Sequence, residues 1–293
     1  SEFFAGSAAF FKTAILLLII IELSLVIEEF FETRIEFRKG FTGVKTSLAK
    51  VINRHLLKML RLQTQWQATL SASLKMSILF IAAGLLPGWH GHVPLPVNHS
   101  LWLFLVIVTL VGPGSLIAQW ASSKGGKAWP SILSAAERAI AGVTVIFILG
   151  LTIMAITGQD AFDALAEIQH QRAWTLVHYP LSIFLVFAFV VVQLYMTFKS
   201  VFSKPAESER EQGWGLEDFL PELSRAIWGL FIVDVFMGGA FSEFASMGWL
   251  ANIFLVVKVV AVNSFSLTAS RLFVRLREDQ AESFILWRLT PVS

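Results

Sequence analysis

The sequence predicts an all-α, polytopic membrane protein, and three observations predict it. The first is composition. The 293 residues are 55% hydrophobic and only 15% charged, where soluble domains carry about a quarter charged residues. Mean hydropathy is +0.67. The second is distribution. Seven apolar runs, at about 9–27, 70–87, 101–121, 139–157, 180–201, 226–244 and 249–270, each approach the roughly 20 residues that a helix needs to cross a ~30 Å hydrocarbon core. They are continuously apolar rather than alternating, which favours helices over a barrel. The third is charge placement: 19 of the 23 Lys and Arg residues fall on one side if all seven runs cross. The runs cover the whole length, so 1–293 reads as a single transmembrane helical domain.

The elements follow in order. The run 9–27 is followed by EEFFETR rather than a small-residue cleavage motif, so it reads as a span and not a signal peptide. The chain opens on Ser1, which leaves trimming open. The loop 29–69 carries eight basic residues. Within it, Val44, Leu48, Val51, Ile52, Leu56, Leu57, Leu60 and Leu62 recur at spacings of three and four. That predicts an amphipathic helix over Val44–Gln63, lying on the membrane surface or docking a partner. After 70–87 comes GWHGHVPLPVNHS, with three of the six histidines. No carboxylate or helical His spacing accompanies them, so an interfacial loop is the better reading than a metal site.

Gly112-Pro113-Gly114 in the third run marks a kink or a helix end. The segment 122–138 is basic, and its GGKAWPS stretch lacks phosphate-loop spacing. Gln193 is the strong polar group of 180–201, and the loop 199–225 contains AESERE. Asp234 interrupts 226–244, Lys258 sits near the middle of 249–270, and 271–293 adds four arginines. The positive-inside rule then places the N-terminus outside and the C-terminus in the cytoplasm. The net charge of +2 records this orientation and does not point to nucleic acid.

Several chemistries are excluded. With no cysteine, the chain itself holds no Cys-ligated iron–sulfur cluster, thiolate zinc site or disulfide. No nucleophile–base constellation or metal-ligand cluster is present, so no catalytic residue and no metal site is assigned. What stands out is charge within apolar runs, which costs about 2.5–3.5 kcal/mol per residue at a helix centre. Glu22, Asp234 and Lys258 are the residues concerned, with Glu28 and Glu29 at the inner end of the first run. Two readings are open. Asp234 and Lys258 form a structural ion pair fixing the sixth and seventh spans, or Glu22, Asp234 and Lys258 belong to a hydrated ion path, since a buried lysine can carry a proton on and off.

Four stretches carry a family resemblance. EEFFETRIEFRKGFTG (28–43), SKPAESEREQGW (203–214), FMGGAF (236–241) and RLREDQAESFILWRLTP (275–291) together resemble the component of proton-translocating respiratory complex I that joins the membrane arm to the peripheral arm. In bacteria it is the H subunit and in mitochondria subunit 1, and group 4 membrane-bound hydrogenases carry a related anchor. Glu28, Arg38 and Gly40 match the family's first loop, with Glu36 in place of its Gln and Phe41-Thr42 in place of Pro-Asn. Ala206, Glu207, Ser208, Glu209 and Gly213 match a second loop. Arg275, Arg277, Asp279, Gln280, Trp287, Arg288 and Pro291 fit a third, and Lys258 fits a lysine of the helix before it. The departures are equally specific. VQLYMTFKSVF (192–202) stands where the family has Ala-Glu-x-Asn-Arg-x-Pro-Phe-Asp, and Gly142 falls near a family Glu. The family's eighth helix would follow WRLTP, and the sequence stops at Ser293.

The resemblance implies a bacterial or archaeal cytoplasmic-membrane subunit, partnered by antiporter-like membrane-arm subunits and by peripheral iron–sulfur or hydrogenase-like subunits. Glu28, Arg38, Glu207, Glu209, Arg275, Arg277 and Asp279 would form its docking and coupling loops. It implies no covalently bound cofactor. The family's quinone is brought into doubt here by the changed 192–202 segment. That segment also keeps a second class open: a scaffold or transport subunit for ion or inorganic-carbon uptake, with no redox or quinone chemistry of its own.

Overall fold

The computed structural model describes residues 11–24, 26–27, 66–88, 93–95, 97–111, 129–172, 174–190, 216–240 and 248–272. Among them are nine helices and no strand. They are α1 (11–24), α2 (Trp66–Leu85), α3 (Ser100–Thr109), α4 (Trp129–Thr157), α5 (Phe162–Arg172), α6 (Thr175–His178), α7 (182–190), α8 (Leu216–Phe236) and α9 (Gly248–Leu272).

The helices sort by how much of their circumference they bury. α1 buries Thr13, Leu16, Leu17, Ile20, Ile21 and Ser24, the three-and-four spacing of one helix face. Its opposite face, Phe11, Ile15, Leu18, Ile19 and Leu23, is exposed and just as apolar. α8 is the hub. Every residue from Arg225 to Phe236 is buried, and α8 packs against α9, α2, α5 and α6. A helix apolar around its whole circumference belongs in the middle of a bundle or in lipid. Aromatic rings fill the space beside it. Phe104 of α3 stacks on Phe231 at 4.8 Å between centroids, and Phe189 of α7 meets Phe231 at 5.2 Å and Trp228 at 5.8 Å.

α8 and α9 run antiparallel and lie close. A Cβ at Gly229 would stand 3.1 Å from Val259 and would strike the Asn263 amide. Gly150 of α4 likewise leaves room for Leu105 of α3.

Each of the seven apolar runs contains a helix among the described residues. Among the described residues only α9 is, as one continuous helix, long and apolar enough to cross a membrane, over Trp249–Ser266. The end of α4 and the start of α5, bent by 46°, meet the requirement together. Two boundaries differ from expectation. α8 begins at Leu216, inside what reads as the loop 199–225, and ends at Phe236, inside the run 226–244. The reason for the early end is Gly238 and Gly239, which adopt φ of +75° and +50°, a turn that glycine makes without steric cost. The helices α5 and α6 lie between the fourth and fifth apolar runs, in a segment to which the sequence reading assigns no element. The amphipathic segment Val44–Gln63 lies outside the described residues.

Candidate functional site: a lysine seated on a broken helix end

A helix leaves its last four carbonyls without intrahelical donors. In lipid or in a protein core each such group needs a partner. The end of α8 meets this need with three devices. The Gly238–Gly239 turn brings the Gly239 N–H back to the Val233 carbonyl at 3.1 Å, beside the regular bond from Met237 N–H at 2.9 Å. Gln169 of α5, only 6% exposed, donates from Nε2 to the Val235 carbonyl at 2.6 Å and to Thr175 Oγ1 at 2.8 Å. Lys258 of α9 donates from Nζ to the Met237 carbonyl at 2.9 Å and the Gly239 carbonyl at 3.2 Å. A cation at the negative end of a helix dipole is electrostatically well placed. The Trp174 ring lies 4.7 Å from Nζ, its π face toward the charge.

Asp234 lies directly beneath this turn. It is 4% exposed, and neither carboxylate oxygen has a hydrogen-bond partner among the described residues. A Cβ at Gly239 would stand 2.5 Å from Asp234 Oδ1, so carboxylate and turn are in van der Waals contact. Lys258 attracts Asp234 through space while two of its hydrogen bonds go to the carbonyls above. The two charges are therefore coupled neighbours, but no direct hydrogen bond joins them.

A second polar level lies five residues away on both helices, about 7.5 Å along the axis at 1.5 Å per residue. Asn263 of α9, 1% exposed, faces Gly229 of α8 and donates from Nδ2 to Ser24 Oγ of α1 at 3.4 Å. Its Oδ1 has no partner among the described residues, nor has Glu22 Oε2. Buried acceptors without donors are uncommon, and here they recur at two levels along α1, α8 and α9.

Of the residues singled out in the sequence, the structure brings Asp234 and Lys258 together. Glu22 stands apart on α1, two residues before Ser24. Glu28, Arg38, Glu207, Glu209, Arg275, Arg277 and Asp279 lie outside the described residues. Gln169, Trp174, Thr175, Ser24 and Asn263 are additions from the structure. The apolar positions Phe162, Leu165, Ala166 and Ile168 do carry helical spacing for α5. No pattern in the sequence marks Trp174 as a lysine partner.

Among the described residues no group of His, Asp and Glu suits a metal. The segments before α3 and α5 meet at His99 and Asp160, where Nδ1 and Oδ2 share an exposed hydrogen bond. Leu101 N–H donates to the Asp160 carbonyl at 3.1 Å, and Phe162 N–H to Ser100 Oγ at 3.0 Å.

Fold and site together define a protein that is helical throughout its described residues, with a buried acid and a lysine gathered at a broken helix end. No family model matches the chain. Over 217 residues it is 26% identical to the H subunit of NADH-quinone oxidoreductase from Paramagnetospirillum magneticum (strain ATCC 700264 / AMB-1), an alignment that covers 69% of this chain and 62% of that protein. The chain is thus a distant relative of this complex I membrane component, and spans less than two thirds of that relative's length.

Proposed function

We propose that the chain is a membrane subunit of a complex I-like assembly that couples events at its cytoplasmic face to proton or cation movement through the membrane. The observation that carries this reading is the Asp234–Lys258 centre: a buried carboxylate with no hydrogen-bond donor among the described residues, coupled to an ammonium held by backbone carbonyls. Discontinuous helices whose carbonyls and C-terminal ends hold cations are a recurring device of membrane transport. A centre of this kind has two charge arrangements. With a proton on Asp234, the ammonium is the only charge of the pair. Without it, carboxylate and ammonium attract, and Lys258 is drawn from the carbonyls toward Asp234. A charge arriving or leaving nearby biases one arrangement over the other, which moves a proton on or off. Asn263, Ser24 and Glu22 extend polar groups from this centre along α9 and α1 toward the cytoplasmic side.

In this reading all seven apolar runs cross, the N-terminus faces out, and the loops containing Glu28, Arg38, Glu207, Glu209, Arg275, Arg277 and Asp279 dock a peripheral iron–sulfur or hydrogenase-like partner. Antiporter-like subunits receive the charge path within the membrane. The second reading, a scaffold or transport subunit for ion or inorganic-carbon uptake without redox or quinone chemistry, is favoured by one observation. The segment 192–202 has neither the acidic residue nor the Asn-Arg of the family motif.

The test is made on the intact complex. Co-purifying subunits are identified by mass spectrometry, and iron and quinone are assayed in the same sample. Antiporter-like subunits with iron and quinone support redox coupling, and Lys258→Ala then abolishes ion uptake by proteoliposomes while electron transfer continues. Antiporter-like subunits with neither iron nor quinone sink the redox reading in favour of the second. A chain that purifies alone and stable overturns both.

A further inference from the structure

We infer that Gln169 is a positioning residue for the Asp234–Lys258 centre, holding carboxylate and ammonium in register from a helix that belongs to neither. This rests on the reading of that centre as the functional site. Three contacts from one short stretch carry it. Gln169 grips the Val235 carbonyl, the peptide next to Asp234, at 2.6 Å. The same amide nitrogen grips Thr175 Oγ1 at 2.8 Å. Thr175 follows Trp174, whose ring lies against the Lys258 ammonium and packs on Gly238, where an added Cβ would stand 3.1 Å from the ring.

One side chain therefore ties the carbonyl beside the acid to the aromatic ring beside the base. The amide suits this task. A primary amide donates two hydrogens from one nitrogen, and both are used here. Thr175 is also buried, so the bridge runs through the core with no solvent to compete for it.

The arm that bears Gln169 is itself anchored. Ser100 holds the Phe162 N–H at the start of α5, Phe162 is packed beside Phe104 and Phe231, and Trp174 closes the far end. A side chain fixed at both ends of its helix can set a distance that a loop residue could not. Truncating it lets the end of α8 and the Trp174 ring relax independently. The spacing between Asp234 and Lys258 is then no longer specified.

The test uses the intact complex in proteoliposomes with three variants. Gln169→Met keeps length and loses both donors. Gln169→His keeps an N–H donor. Thr175→Val removes the second acceptor without changing shape. The readouts are ion uptake and the infrared band of the Asp234 carboxyl group, identified as the band that Asp234→Asn removes. Gln169→Met is expected to shift that band by several wavenumbers and to slow uptake about tenfold, the factor that corresponds to ~1.4 kcal/mol. Gln169→His is expected to recover most of both.

Slowed uptake with an unmoved Asp234 band overturns the inference, because a merely structural role does that. An unmoved band with unchanged uptake overturns it too. If Gln169→Met does not assemble, Thr175→Val decides: a shifted band supports the inference and an unshifted one overturns it. Wild-type complex that takes up no ion refutes the proposed function, while the band still reports on Gln169.

Discussion

At the scale of single residues, the centre is held by backbone as much as by side chains. Asp234 and Lys258 are legible in the sequence because a charge in an apolar run is costly and therefore rare. Their arrangement is not legible, because the ammonium's partners are the Met237 and Gly239 carbonyls, and every residue has a carbonyl. Gly238 and Gly239 do show in the sequence as FMGGAF, and the structure supplies their physical role. Gly239 holds φ of +50° with Asp234 Oδ1 against its α-carbon. Gly239→Ala combines a strained conformation with a clash, so a loss of about 1–3 kcal/mol is expected. It is measurable as a lower midpoint of thermal unfolding in detergent. Gly158, also at positive φ, has nothing within 4 Å of an added Cβ, so Gly158→Ala isolates the backbone strain and should cost less. Lys258→Met leaves two carbonyls without their donor and should cost about 1–3 kcal/mol on its own, by the same melting assay. Asp234→Asn keeps shape and removes charge; it is expected to retain the melting midpoint and to lose ion uptake.

At the scale of elements, the outer arm α5–α6 decides what α8 can be. The sequence shows α8 and α9 as apolar runs, but not that α8 stops inside its run, because the stop depends on partners from elsewhere. Gln169 and Lys258 take up the carbonyls that the Gly238–Gly239 break releases. The arm is not an apolar run, because Asp163, Glu167 and Arg172 interrupt FDALAEIQHQR, although its apolar positions repeat at helical spacing. What anchors the arm can be separated by magnitude. The His99–Asp160 contact is more than half exposed on both sides, and exposed polar contacts of this kind, charged or not, contribute about 0–1 kcal/mol. The Phe162 N–H to Ser100 Oγ bond is buried, and losing the acceptor of a buried donor costs about 1–3 kcal/mol. Asp160→Asn is therefore expected to be near neutral and Ser100→Ala to be clearly destabilising, as read by unfolding midpoints of the two variants.

At the scale of the whole molecule, the surface is as informative as the core. Phe11, Leu18, Ile140, Leu151, Phe184, Trp249, Val257 and Phe265 are large, apolar and exposed, and they come from α1, α4, α7 and α9. A soluble protein rarely exposes large contiguous apolar patches, whereas lipid accepts them. The uneven distribution of Lys and Arg is the basis of the proposed orientation, and the absence of cysteine makes it testable without altering the background. A single cysteine at Val97 or Val177, both exposed, should react with an impermeant thiol reagent from outside intact cells. One replacing Ser208 should react only after the membrane is opened. Reversed labelling refutes the N-out assignment. The sequence shows seven apolar runs, but among the described residues only α9 is by itself both long and apolar enough for a crossing. The broken end of α8 also bears on biogenesis. Lys258 is expensive to insert alone, and its seat belongs to α8, which leaves the ribosome first. In the membrane-spanning reading α8 enters the bilayer ahead of α9, so the carbonyls of Met237 and Gly239 precede the charge they receive.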